Sequence, residues 1–154
     1  YTAFSAKASL SEVMTMLKQH DEIMLPIFEK HSGKVVKKIG DAFLIVFEQP
    51  AKALLAAIAI QRRLQEYNSS TSEDHRLALR IAINTGSVIC RENDVFGDAV
   101  NIASRLEGVA DAGEIVISEA TSSKVDATIF ELIPHGEHKL KGIEKPVKTF
   151  RVGW

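Results

Sequence analysis

A predicted helix over residues 97–108 carries the side chains with the clearest chemical potential. Asn101 and Arg105 are four residues apart, so a helix brings both to one face near its start. Asp98 lies three residues before Asn101 and suits the N-cap position. An amide beside a guanidinium can bind a sugar and a phosphate, because the planar fork of arginine matches phosphate oxygens. The alternative is a surface network in which Arg105 pairs with Asp98 or Glu107.

The tip of a predicted hairpin carries a second candidate. Asp41 follows Gly40 in a two-residue turn between β-rich runs at 34–39 and 42–47. A carboxylate held on a rigid ribbon suits a Mg²⁺ ligand. Aspartate is also a common turn residue for purely conformational reasons, so the local pattern leaves both interpretations open.

Lysines in two segments of the chain are candidates for ligand recognition. Side chains alternate along a strand, so one of Lys37 and Lys38 must share the face of the apolar residues. A lysine on such a face either extends its charged end to solvent or recognises a ligand. A second basic segment, which contains Lys141 and Lys145, could bind phosphates or simply be solvated.

The elements that must position these side chains follow from hydrophobic periodicity and turn residues. A helix is predicted over 9–30, with Pro26 bending or ending it, and another over 50–67. Strands are predicted over 77–83, 87–91 and 114–117, a short helix from Ser118, and tail strands over 129–152 broken at Pro134, Gly136, Gly142 and Pro146. This order predicts an α+β sandwich with helices on one face of a mainly antiparallel sheet, and a ferredoxin-like βαββαβ core if a strand precedes Tyr1.

Composition excludes several classes of protein. The chain has 154 residues, 19 basic and 20 acidic, and is 45% hydrophobic, which fits one globular domain and excludes wholesale disorder. The near-neutral charge argues against nucleic-acid binding, and no apolar run is long enough for a bilayer span. The single cysteine, Cys90, excludes an internal disulfide framework and a multi-cysteine zinc site. A cytoplasmic location is the simplest expectation.

Four stretches, in order, resemble the catalytic domain of class III nucleotidyl cyclases. They are GKVVKKIGDAF at 33–43, INTG at 83–86, DVFGDAVNIASRL at 94–106 and LKGIEKPV at 140–147. The resemblance covers nearly the whole chain. It implies that Tyr1–Thr2 ends a further family pattern, Phe-x-Asp-Ile-x-Gly-Phe/Tyr-Thr, whose aspartate binds the first metal and would precede residue 1.

The resemblance implies roles for four residues around the nucleoside. Lys37 and Asp94 would read the adenine edge, and guanylate-forming relatives usually carry other residues at these positions, so the two favour ATP. Asn101 would orient the ribose. Arg105 would stabilise the transition state at the α-phosphate.

The resemblance also implies how the phosphates and metal ions are held. Asp41 would be the second of two metal-binding aspartates, with two Mg²⁺ or Mn²⁺ ions expected. Lys141 would contact the triphosphate, although some relatives carry the lysine where this chain has Ile143, and Lys145 is then the rival.

The function implied is an adenylate cyclase that converts ATP to 3′,5′-cyclic AMP and pyrophosphate at a homodimer interface. Asp41 of one chain would face Lys37, Asp94, Asn101 and Arg105 of the other, and regulatory domains are expected outside this chain. The alternative is a catalytically silent, cyclase-like nucleotide-binding or regulatory module. A diguanylate-cyclase-like domain fits less well, because the hairpin tip lacks the Gly-Gly-acid-acid-Phe pattern.

Overall fold

The computed structural model describes residues 10–39 and 41–154, apart from the side chains of Ile39 and Asp74. Predictions that involve Tyr1, Thr2, Ser9 or Gly40 lie outside this part. The helices are α1 (Leu10–Lys30), α2 (Pro50–Ser69), α3 (Asp98–Glu107), α4 (Glu119–Ser122) and a 3₁₀ turn (Glu73–His75). The strands are β1 (Lys34–Ile39), β2 (Ala42–Val46), β3 (Ile81–Ile83), β4 (Ile89–Arg91), β5 (Asp94–Phe96), β6 (Ile115–Ser118), β7 (Leu132–His138) and β8 (Val147–Val152).

The strands form one central sheet and two hairpins. The central sheet has the order β3-β6-β8-β7, in which β3 and β6 are parallel and the other neighbours antiparallel. The pairs β1-β2 and β4-β5 are antiparallel hairpins. The predicted α+β class with a mainly antiparallel sheet is confirmed, and the described chain supplies α1-β1-β2-α2-β3 of the βαββαβ unit.

Helices cover both faces of the central sheet, whereas the sequence predicted one face. Ile115 and Ile117 of β6 pack against α2 residues such as Leu54. Val116, which points to the opposite face, packs against Leu106 of α3. The physical reason is that β6 is apolar at three successive positions, and a strand of that kind is stable only where both of its faces are covered.

The β1-β2 hairpin packs against α1 through a separate apolar cluster. Met24 and Phe28 of α1 are each 3% exposed, and Phe43 and Ile45 of β2 contact their cluster. Pro26 lies between these two anchors, and α1 continues through it to Lys30. Proline removes one backbone donor from a helix interior, and the buried side chains on either side hold the helix together. No helix in the described residues is long and apolar enough to cross a bilayer.

Strand β3 is shorter than the apolar alternation predicted. Its ladder begins at Ile81, although Leu77 and Leu79 continue the same pattern. Side chains of α2 bind the backbone there instead. Asn68 donates to the Leu77 carbonyl (2.7 Å) and accepts from its N–H (2.8 Å), and Gln61 donates to the Leu79 carbonyl (3.0 Å). The Leu79 carbonyl also accepts from the Gly113 N–H (2.8 Å), so these groups are paired without a regular strand ladder.

Strand β7 continues past two residues that were predicted to break it. Pro134 and Gly136 both lie inside β7, where the pairing with β8 shifts register between Pro134 and Glu137. Gly136 has φ +82°, and its carbonyl accepts a hydrogen bond from the Thr149 hydroxyl (3.0 Å). A bulge of this kind absorbs the irregular residues without ending the strand.

Candidate active site

Lys37 and Asp94 come together from two different hairpins. The Lys37 Nζ on β1 lies 3.2 Å from Asp94 Oδ1 on β5, and both side chains are partly exposed. The Val95 N–H also donates to Asp94 Oδ1 (2.8 Å). This backbone hydrogen bond, followed by the Lys37 contact, holds the pKa of Asp94 below its usual range. Within the described residues, Asp94 Oδ2 has no donor, so one carboxylate oxygen is available to a ligand.

The β4-β5 hairpin that carries Asp94 was missing from the sequence prediction, which assigned no strand to 94–96. Glu92 and Asn93 form its two-residue turn with φ values of 51° and 62°. Turns with two positive φ values match the twist of a hairpin, and asparagine favours them. The signal available in the sequence was the pair Glu92–Asn93, in which the asparagine suits a two-residue hairpin turn. Glutamate is an unusual residue for such a position, which weakened that signal.

Two close backbone approaches fix the start of α3. Gly97 is its N-cap with φ +141°, and a Cβ there would lie 3.1 Å from the Ser87 carbonyl oxygen. A Cβ on Gly86 would lie 2.8 Å from the Ala99 Cβ. Only glycine fits at both positions. Asp98 is the first residue of the helix and not its N-cap, which corrects the prediction, although an acidic residue in the first turn still suits the helix dipole.

A polar network ties α3 to the end of the central sheet. Asn84 donates to the Ala99 carbonyl (3.0 Å) and accepts from the Ser118 hydroxyl (2.6 Å). Thr121 contacts the hydroxyls of Ser118 (3.3 Å) and Thr85 (2.9 Å). Ser118 and Thr121 are almost fully buried, so their hydroxyls need these partners. The sequence had singled out Asn84 only as part of a motif, and its anchoring role emerges from the structure.

Asn101 and Arg105 lie one turn apart on the exposed side of α3. Leu106 on the buried side is 0% exposed and holds the helix against the sheet. Arg105 lies in the last turn of this ten-residue helix, and not near its start as predicted. Within residues 10–39 and 41–154 it forms no ion pair with Asp98 or Glu107. Its guanidinium is therefore available to an anion.

The loop between β7 and β8 brings lysines next to α3. Leu140 and Ile143 pack in the same apolar cluster as Leu106. Lys141 and Lys145 are both exposed, and in the described part of the chain neither forms an ion pair. The loop therefore offers positive charge beside the helix that carries Arg105, and its geometry does not choose between the two lysines.

Asp41 lies in the turn of the β1-β2 hairpin and is partly exposed. Its carboxylate oxygens are ligands of the type that Mg²⁺ prefers. Across the described residues, however, no three histidine, cysteine, aspartate or glutamate side chains form a group that could hold a metal ion. The residues described here therefore do not by themselves make a metal site.

Lys38, the neighbour of Lys37, points to the opposite side of its hairpin. It forms an ion pair with Asp21 of α1, and its Nζ lies 5.2 Å from the centre of the Phe43 ring. Burial of Asp21 opposes its ionisation, but hydrogen bonds from Lys38 and His20 outweigh this and lower its pKa. The sequence did not indicate Asp21, because nothing in its local pattern distinguishes it from other charged residues on an amphipathic helix.

Comparison with known proteins identifies the family and several similar solved structures. The family described as the adenylate and guanylate cyclase catalytic domain matches residues 1–153. The crystal structure of an adenylate/guanylate cyclase/hydrolase from Silicibacter pomeroyi is 30% identical, with a TM-score of 0.81 over 92% of this chain and 85% of that one. The catalytic core of a rhodopsin-guanylyl cyclase with converted specificity, solved with ATPαS, is 26% identical, with a TM-score of 0.86 over 99% and 89%.

The chain belongs to the adenylate and guanylate cyclase catalytic domain family. A Rhizobium meliloti (strain 1021) protein named "Putative adenylate cyclase 3" is 31% identical over 96% of this chain. The chain spans 25% of the length of that relative and 18% of the length of a second curated relative. The predicted family and the predicted cyclase catalytic domain are therefore confirmed.

Proposed function

We propose that this domain is an adenylate cyclase that converts ATP to 3′,5′-cyclic AMP and pyrophosphate. The observation that carries the proposal is the contact between Lys37 Nζ and Asp94 Oδ1 at 3.2 Å. The two residues are distant in sequence, and they meet at the positions that the family resemblance assigns to base recognition.

Lys37 and Asp94 have the chemistry needed to read adenine. Lysine has only donors, so Lys37 would donate to a ring nitrogen of the base. Asp94 Oδ2, which has no donor in the described residues, would accept from the neighbouring exocyclic amine. The two groups on that edge of adenine are adjacent, as are the lysine and the carboxylate. Guanine presents a donor and an acceptor in the reverse arrangement, which disfavours it.

Asn101 and Arg105 would act on the sugar and the α-phosphate. In the reaction the ribose 3′-oxygen forms a bond to the α-phosphorus, the bond from phosphorus to the pyrophosphate oxygen breaks, and the hydroxyl proton is released. Negative charge increases on the α-phosphate oxygens, where the Arg105 guanidinium would stabilise it. Asn101 would hold the ribose in line for attack. Both side chains are exposed on one face of a helix fixed to the sheet.

The proposal includes divalent metal ions and a triphosphate contact. Asp41 is proposed as one ligand of Mg²⁺ or Mn²⁺, with the other ligands outside the described residues. Bound ions would neutralise phosphate charge. Lys141 is proposed as the triphosphate contact, since its loop packs against α3, with Lys145 as the alternative.

The active site is proposed to form between two copies of the chain. A two-fold homodimer would place Asp41 of one protomer opposite Lys37, Asp94, Asn101 and Arg105 of its partner, and would create two equivalent sites. The described residues are compatible with such sharing, because each of these side chains is exposed or partly exposed. Sedimentation with and without nucleotide measures the association directly.

The decisive experiment is a product assay with ATP and with GTP in the presence of Mg²⁺ or Mn²⁺. We expect cyclic AMP as the main product, with a higher kcat/KM for ATP than for GTP. Folded, dimeric protein that binds ATP in a calorimetric titration and forms no cyclic AMP would instead support the silent, cyclase-like module. Cyclic GMP as the main product would refute the base-recognition assignment and leave the family assignment intact.

A further inference from the structure

We propose that Lys38 is a positioning residue for base recognition. Its contacts with Asp21 and Phe43 fix the orientation of β1, and this orientation holds Lys37 against Asp94. The inference rests on the proposed function, because it assumes that Lys37 and Asp94 read the base.

A one-residue bulge in β1 decides which face each lysine occupies. Val35 pairs with Ile45, and the next pair is Lys37 with Leu44, so Val36 is the extra residue. Cross-strand partners share a face of a hairpin. In an uninterrupted strand Lys37 would therefore lie on the same face as Val35, which packs against the α1 cluster. The bulge moves Lys37 to the opposite face.

The same bulge places Lys38 on the face that packs against α1. Lys38 pairs with Phe43, and Phe43 contacts the buried cluster of α1. The Phe43 ring stacks on His20 with 5.7 Å between centroids, and it meets the Phe28 ring edge-on at 5.4 Å. The ammonium group of Lys38 lies above Phe43 and is paired with Asp21. The end of β1 is thus fixed to α1 by a charged contact as well as by packing.

Neighbouring residues in a strand face opposite sides, so the orientations of the two lysines are linked. Lys38 is bound on the α1 side, and Lys37 must then point towards β5, where Asp94 lies. The residue opposite Phe43 on the α1 face is Lys38 with the bulge and would be Lys37 without it, so apolar burial at this pair does not choose between the two registers. The Lys38–Asp21 contact stabilises the register in which Lys37 reaches Asp94.

The test is a double-mutant cycle with Lys38→Met, Asp21→Asn and the combined variant. Methionine keeps most of the stem on the Phe43 ring and removes the charge. Lys34→Met is the matched control, because Lys34 lies on the same strand, is exposed and has no ion pair in the described residues. The readouts are the ratio of kcat/KM for ATP to that for GTP, and an NMR titration of the Asp94 carboxyl.

We expect each single variant to lower the ATP-to-GTP ratio about tenfold, the scale of one lost charged hydrogen bond. The combined variant should be no worse than either single variant, because both remove the same contact. Lys38→Arg should restore the ratio, and Lys34→Met should leave it unchanged. The Asp94 pKa should rise in Lys38→Met, since the Lys37 cation would have moved away. A merely destabilised protein would lose activity with both nucleotides equally.

Two results separate this inference from the proposed function. If Lys37→Glu changes the ratio and Lys38→Met does not, positioning by Lys38 is wrong and base recognition stands. If the wild-type protein shows no preference for ATP, base recognition is wrong, and the Asp94 titration then decides the positioning step. An Asp94 pKa that is the same in Lys38→Met and wild type would overturn it.

Discussion

Two groups of candidate residues differ in how firmly the protein holds them before any ligand binds. Lys37 and Asp94 contact each other at 3.2 Å and come from two separate hairpins. Asn101 and Arg105 lie exposed on one helix, and among the described residues neither side chain forms a hydrogen bond or an ion pair. The first group is preorganised by mutual contact, whereas the second is positioned only by its backbone.

This difference fits the two tasks that we propose. Recognition of a base requires a fixed donor and acceptor in the ground state, which a salt bridge between two rigid hairpins supplies. Stabilisation of a transition state requires a charge that is not neutralised by a protein partner, because only interactions stronger in the transition state increase kcat. The network of Asn84, Ser118 and Thr121 holds α3 in place without using Arg105.

The largest expected effect is the loss of kcat when Arg105 is replaced, and it separates the Asn101/Arg105 group most clearly from the Lys37/Asp94 group. Arg105→Ala should reduce kcat for ATP by about 10²–10³ with little change in ATP affinity, because the role that we propose for the guanidinium is to stabilise the transition state. Steady-state kinetics and calorimetric ATP binding measure the two quantities. Arg62→Ala, at an exposed arginine of α2, is the control. An equal loss of folding, seen by circular dichroism, would instead indicate a structural role for Arg105.

Exchanging Lys37 and Asp94, the residues that we propose to read the base, should change nucleotide specificity more than turnover. Lys37→Glu combined with Asp94→Ser should lower the ATP-to-GTP ratio of kcat/KM by about tenfold or more, the scale of one or two charged hydrogen bonds. The assay compares both nucleotides in one protein preparation. A ratio equal to that of the wild type would refute the assignment of Lys37 and Asp94.

The loop between β7 and β8, which carries Lys141 and Lys145, should have a smaller effect on ATP binding. Lys141→Ala should raise KM for ATP by roughly fivefold, the scale of an exposed ion pair, with kcat nearly unchanged. Lys145→Ala, in the same loop, is the matched comparison. If Lys145→Ala raises KM and Lys141→Ala does not, the triphosphate contact belongs to Lys145.

The smallest expected effect is on the ionisation of Asp94. The Val95 N–H and Lys37 lower its pKa, so the carboxylate persists at lower pH than an ordinary aspartate, whose pKa is about 3.9. Any stabilisation from the pair is present above that value and is lost as the pH falls through the lower, folded-state pKa. An NMR titration of wild type and Lys37→Met measures it. We expect a higher Asp94 pKa in Lys37→Met than in the wild type, and an equal or lower value would contradict the contact.

Much of the fold followed from local patterns in the chain. The structure has α1, α2 and the β1-β2 hairpin near their predicted bounds. Apolar periodicity and a two-residue turn are short-range signals, so the sequence alone reveals them. The length of strand β3 was overestimated, since Asn68 binds the Leu77 backbone and Gln61 the Leu79 carbonyl, and the regular ladder begins only at Ile81. Strand β5 was missed, since a glutamate at positive φ is uncommon.

The types of the candidate residues, and their order along the chain, were determined by the sequence. The contact of Lys37 with Asp94, the contact of Lys38 with Asp21 and the absence of an ion pair at Arg105 among described residues were decided by tertiary structure. For the two lysines the physical reason is the bulge at Val36, since a single extra residue reverses the faces of the side chains that follow it in β1. Local periodicity cannot reveal that bulge, because it arises from pairing with another strand and packing against α1.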